Sequence, residues 1–181
     1  MKGRPVHMER KALLPEGRLL DIAKSNPRVE DARLLPVKDI PIREWVREAC
    51  LSCRYHGKSW SCPPGVGGLE QARRTLSGYS RAVFIKFKSS RDRAALERAV
   101  LDIESSLRGA GFPRALGFFA SPCTACPECS YPGPCTRPGL SRPTGESWGI
   151  DLMDTSARAG LPVEIVREGE DFRPVTLLLL D

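Results

Sequence analysis

Hydrophobic and polar positions recur with two periods along this chain, and most runs stop at Gly, Pro or Ser. Gly17 to Ser25 carries Leu19, Leu20, Ile22 and Ala23 on one side and reads as a short helix. Asp31 to Val37 reads as a strand. Leu69 to Leu76 sets Leu69, Ala72 and Leu76 at helical spacing, with Gly78 as a stop. Arg81 to Lys88 is rich in β-branched and aromatic residues and reads as a strand. The strongest helical signal runs from Arg91 to Arg108, where Leu96, Ala99, Val100, Ile103 and Leu107 form one stripe. Ser89 or Ser90 is placed to cap its start, and Gly109 follows its end. Ala115 to Ala120 reads as a second core strand. Trp148 to Ala159 reads as a helix stopped by Gly160 and Pro162, and Val163 to Val166 and Val175 to Leu180 as two closing strands.

Two stretches show neither period. Residues 50–68 and 121–145 concentrate Pro, Gly and Cys, and neither can run as a long helix or a central strand. Loops of this length inside a domain usually serve a function or are held by a metal. The pattern predicts one α+β or α/β domain over residues 1–181. It has a central mixed β-sheet flanked by helices, two cysteine-rich loops at its edges, and a flexible N-terminal segment over residues 1–16.

Composition narrows the class. Hydrophobic residues make up 41% of the chain and charged residues 28%, the balance of a globular domain. No apolar run approaches the ~20 residues of a membrane span, and the N-terminus lacks the apolar core of a secretory signal. A cytoplasmic setting is expected, where clustered cysteines bind metal more often than they pair. The odd count of seven Cys also suits disulfides poorly.

The cysteines carry the chemistry. Cys123, Cys126, Cys129 and Cys135 are separated by two, two and five residues. Three thiolates at two-residue gaps in a tight turn, closed by a fourth, resemble the ligand run of bacterial ferredoxins around a [4Fe–4S] cluster. The final gap is longer here, and Pro138 lies three residues beyond Cys135. Zinc also accepts four thiolates and stays open as the alternative, although zinc loops usually pair two C-x2-C knuckles across a longer span. In the first loop Cys50, Cys53, His56 and Cys62 repeat the same gaps, with His56 where the second loop has Cys129. His56 is therefore a candidate fourth ligand of a second site. Its alternative is a loop histidine with no metal role, leaving three thiolates and one open position of the kind catalytic metal sites use.

The first loop and its sequel, Cys50-x2-Cys53 leading into His56-Gly57-Lys58-Ser59-Trp60-Ser61-Cys62-Pro63-Pro64, resemble a segment of a family of predicted metal-binding proteins, domain of unknown function 2284. So do Ala115 to Phe118, the four-cysteine loop, Arg142-Pro143, Gly149-Ile150-Asp151, Thr155, Gly160-Leu161-Pro162 and the strand Leu177 to Leu180. The resemblance spans about Gly17 to Asp181. It implies a prokaryotic cytoplasmic metal-binding protein of iron–sulfur type, tied to anaerobic metabolism, and supplies no reaction. Two departures stand out. The family tends to have Tyr at the position of His56, and its Arg-Pro is usually followed by Ser-Met-Glu-Ala, where this chain has Thr144-Gly145-Glu146-Ser147.

Other residues have ordinary readings beside functional ones. Glu146, near a helix start, suits the helix dipole or general acid–base work, and Asp151 flanks the same helix. Arg54, Lys58, Arg137 and Arg142 balance anionic metal loops or simply solvate them. Trp60 and Trp148 shield a centre or pack the core. Gly65-Val66-Gly67-Gly68 is a weak phosphate-nest pattern that a turn explains as well. No phosphate-loop or dinucleotide fingerprint is present.

Three functional classes follow: a redox protein with one or two clusters and a partner protein, an iron–sulfur enzyme with an open three-cysteine site, and a zinc-stabilised module for an acidic partner or nucleic acid. The 28 Lys+Arg against 22 Asp+Glu give +6 with every Cys counted as neutral. A four-thiolate [4Fe–4S] site brings about −2 and a three-thiolate site about −1, leaving about +3. That weakens the case for nucleic acid.

Overall fold

Strands buried on both faces set the architecture. In the computed structural model, which describes residues 14–163 and 172–181, the strands are β1 (Val29–Pro36), β2 (Arg81–Phe87), β3 (Leu116–Gly117) and β4 (Val175–Leu180). The helices are α1 (Glu16–Lys24), α2 (Glu44–Glu48), α3 (Leu69–Leu76), α4 (Arg93–Gly109) and α5 (Leu152–Arg158). β2 and β4 are apolar almost throughout because both their sides are covered. One face buries Val83, Ile85 and Phe87 against Leu19 and Ala23 of α1 and Leu96, Val100, Ile103 and Leu107 of α4. The other buries Ala82, Phe84, Leu177 and Leu179 with Leu76, Phe118, Ile150 and Leu161.

The sheet order is β1-β2-β4-β3, and every ladder is antiparallel. The chain is thus an α+β domain, and the expected mixed sheet is corrected. β2 and β3 run parallel across α4, as in a split β-α-β unit, but β4 arrives last and takes the place between them. The register pairs Phe84 with Leu177 and Lys86 with Val175. A register shift between Val29 and Asp31 accommodates Glu30 on β1.

Local differences from the sequence reading have local causes. α4 is capped by Asp92, whose side chain accepts from Ala95 N at 2.9 Å, and Ser90 instead accepts from Asp92 N. α5 starts at Leu152 because Gly149, at φ +73°, ends a 3-10 turn over Glu146–Trp148, and Asp151 then caps the helix through Asp154 N at 3.0 Å. β3 is shorter than Ala115 to Ala120 because Phe119 leaves β4 and bridges to Thr144. α2 was missed because five residues with only Val46 buried are too short for a periodic signal. Of the expected strand Val163 to Val166 all but Val163, and most of the 1–16 segment, lie outside the described residues. Among the described residues, no helix is long and apolar enough to cross a membrane.

Gly117 marks the tightest approach of β3 to α4. A Cβ there would stand 2.6 Å from Val100 Cγ1 and 3.2 Å from Glu104 Oε2. Gly117→Ala should therefore destabilise the domain by about 1–3 kcal/mol through overpacking, read as a lower urea midpoint with an unchanged slope. An unchanged midpoint would show that the contact yields freely.

Candidate metal centre

Two buried carboxylates on α4, seven residues apart, hold the two ends of the second cysteine loop. Glu104 is almost fully buried. It accepts from Gly117 N at 2.7 Å and from Arg142 Nε at 2.8 Å and Nη2 at 2.5 Å, and pairs with Arg108 at 2.7 Å. A buried carboxylate shared by two guanidiniums and a backbone amide has its charge satisfied. Glu97 holds the other end, accepting from Thr124 N at 3.0 Å and Thr124 Oγ1 at 2.9 Å. Its Oε1 is buried without a hydrogen-bond partner, and burial pushes its carboxyl up despite the Thr124 bonds. Thr124 sits beside Cys123, and Arg142 follows Cys135. The loop is thus fixed at both ends to one rigid helix.

Between those anchors, Cys123, Cys126, Cys129 and Cys135 line one small cavity, about 20 Å³, with Ser59, Trp60 and Arg137 among its walls. All four thiols are free and partly exposed. Arg137 donates to Ala125 O at 3.0 Å across the turn. Burial pushes the Cys123 thiol up. The backbone amide of Ala125 lies 3.5 Å from its sulfur, the kind of contact that supports a thiolate.

The first loop builds a separate cavity of about 250 Å³, lined by Cys50, Cys53, His56 and Cys62 together with Tyr55, Ala120 and Glu146. Cys62 is buried, and desolvation raises its thiol to about 11, with Cys53 and Cys50 adding to the rise and the Ser61 hydroxyl opposing it. Cys50 is raised for the same first reason, opposed by the Arg47 charge. A cation in the cavity would reverse this balance and favour the thiolates. Glu146 has open surface, but that surface faces cavities, and desolvation by their walls pushes its carboxyl up. Among the described residues, no three His, Cys, Asp or Glu side chains gather tightly enough to hold a single metal ion. In donor chemistry, two sets of free thiols, each around its own cavity, suit a thiolate-bound centre.

The two loops are joined. Ser61 Oγ accepts from Cys123 N at 3.0 Å and lies 3.9 Å from Cys62 Sγ, so one buried hydroxyl touches both cysteine sets. Trp60 donates to Gly133 O at 2.8 Å and meets Tyr131 edge-on at 5.1 Å. Arg93 donates to Ser121 Oγ and Tyr55 Oη, each at 3.1 Å, and to Pro122 O. Arg47 on α2 donates to Ser147 O and, at 2.7 Å, to Gly67 O, beside Cys50 and Cys62.

The structure sorts the remaining candidates. Arg142 is an anchor to Glu104 rather than a free counter-charge. Arg54 lies over the Tyr55 ring and donates to its hydroxyl, while Lys58 is exposed. Trp60 walls the four-cysteine cavity, whereas Trp148 packs edge-on against Phe118 in the core. Gly65 lies against the backbone of Ser59, Trp60 and Cys62, which accounts for the glycine run as a packed turn. Glu97, Glu104, Arg47 and Arg93 were missed. The available signal was two acids at the same heptad position on the flank of the α4 stripe. Glu104→Ala should cost about 3–5 kcal/mol by leaving Arg142 unpaired beside the core, measured by urea unfolding. A loss under about 1 kcal/mol, the range of an exposed pair, would mean the clamp is a surface contact.

A family model described as a predicted metal-binding protein, DUF2284, matches residues 33–180. No curated protein and no solved structure matches the chain. With two cysteine sets around two cavities and this match over most of its length, the chain belongs to the DUF2284 family of predicted metal-binding proteins.

Proposed function

We propose that this protein is a cytoplasmic iron–sulfur protein that exchanges single electrons with a partner protein. Cys123, Cys126, Cys129 and Cys135 would hold a [4Fe–4S] cluster. The observation that carries this reading is that all four thiols of a ferredoxin-like run line one cavity. Such a cluster supplies one-electron chemistry. The chain's part is to fix the loop through Glu97 and Glu104, shield one side with Trp60, and leave Cys126, Cys129 and Cys135 near the surface a partner can reach.

Two other readings each have one observation in favour. The space among the four thiols, about 20 Å³, is of the size of a single water or ion, and four thiols are also a zinc donor set, although as placed they do not gather tightly around one ion. The three-cysteine cavity is roomier, and it shares Glu146 and Ala120 with a larger neighbouring cavity, which suits an enzyme with an open centre. In that case Cys50, Cys53 and Cys62 hold the centre, and His56 either closes it or leaves the position for a substrate.

Protein purified without oxygen should be brown, with broad absorbance near ~400 nm. Cys129→Ser should abolish or alter that band, and an unchanged spectrum would contradict the ligand assignment. His56→Ala separates the two forms of the first site: unchanged metal content and spectrum exclude His56 as a ligand. Colourless protein carrying stoichiometric zinc would sink both iron–sulfur readings.

A further inference from the structure

We propose that the Glu146 carboxylate is the fourth donor of the first centre, binding the iron that Cys50, Cys53 and Cys62 leave without a thiolate. The inference rests on the reading that the first loop holds an iron–sulfur centre, and it names the residue that closes that centre. His56 is then part of the cavity wall and not a ligand.

Glu146 is the one acid among the described residues that line the 250 Å³ cavity with the three cysteines. Three chain segments bring these donors together, and one arginine holds all three. Arg47 stands in the last turn of α2, three residues before Cys50. It donates to Gly67 O at 2.7 Å, in the turn that leaves Cys62, and to the carbonyl of Ser147, which follows Glu146. The turn after Cys62 is closed by Val66 N on Cys62 O at 3.3 Å and Gly67 N on Pro64 O at 3.1 Å. Ser147 is buried; its amide donates to Thr144 Oγ1 at 3.2 Å and its hydroxyl to Thr144 O at 2.7 Å. Glu146 O accepts from Gly149 N at 2.9 Å and lies 4.0 Å from Cys50 Sγ. Backbone bonds on both sides therefore fix Glu146 beside Cys50.

The carboxylate lies near the sulfurs as well as the backbone, since its charge bears on both Cys50 and Cys62. Three thiols and one carboxyl thus surround one space as donors of like charge, an arrangement that a cation among them stabilises. His56 borders the cavity too, but it lies outside the Arg47 clamp, and its charge is not among those that bear on Cys50. As placed, the donors do not gather tightly enough for a single ion, and the space they ring is larger than one ion needs. A multi-iron group fits both facts. Carboxylate is a harder donor than thiolate, so in the open-centre reading the Glu146 position is where a substrate would displace a protein ligand.

The test counts iron and sulfide, and records the electron paramagnetic resonance of the reduced state, in the full chain purified without oxygen. Cys62→Ser first defines the share that belongs to the first centre, about four of each for a [4Fe–4S] cluster. If Cys62→Ser removes none, the first centre is absent and the proposal falls together with the reading it rests on. Glu146→Ala and Glu146→Ser should lower iron to the Cys62→Ser level or, where iron stays, change the resonance of the first centre. Glu146→Cys, which offers a thiolate in place of the Ser hydroxyl, should restore the full count. A purely structural Glu146 would not tell these two replacements apart. Wild-type iron and resonance in Glu146→Ala, equal loss in Glu146→Cys and Glu146→Ser, or loss in His56→Ala with none in Glu146→Ala would overturn the assignment and leave the first centre itself standing.

Discussion

The cysteine loops depend on two carboxylates buried at the edge of a helix. α4 is amphipathic, and Leu96, Val100, Ile103 and Leu107 are committed to the sheet. Glu97 and Glu104, on the flank of that stripe, face Thr124 and Arg142 instead. Burying a carboxylate is unfavourable unless its oxygens are satisfied. Glu104 is satisfied by two arginines and the Gly117 amide, which lies close because glycine allows β3 to approach. The helix, the strand and the end of the loop thus stabilise one another. Glu97 is only half satisfied, with Oε1 left without a partner beside the four-cysteine loop.

That coupling gives a loop rich in Pro and Gly a defined shape without a helix or sheet of its own. It also brings the loop against the first one, where Ser61, Trp60 and Arg93 make the joints. The two cysteine sets are therefore neighbours across a single hydroxyl. On the far side, the first loop's cavity shares a wall with a larger recess. Four-cysteine loop, three-cysteine cavity and recess follow one another in space.

Much of the fold was legible where a period ran long enough. α3 and β4 fall where the pattern places them, since Leu69, Ala72 and Leu76 repeat at helical spacing and Val175 to Leu180 is an apolar run interrupted only by Thr176. Strand order was not legible, because the last strand slots between two earlier ones and nothing local to Val175 to Leu180 encodes its neighbours. Gly149 hid the true start of α5, since its left-handed turn looks like helix interior in sequence. For the site, spacing divided the cysteines into the two sets that line separate cavities. The groups that position them were illegible because Glu97 and Thr124, or Glu104 and Arg142, are joined only by tertiary contact.

The central claim is that thiolates of this chain hold iron and sulfide. Iron and acid-labile sulfide counted per chain in protein purified without oxygen test it most directly. The account predicts about four of each for one [4Fe–4S] cluster, and more where the first loop is also filled. Protein with full zinc, or with neither metal nor sulfide, would contradict it.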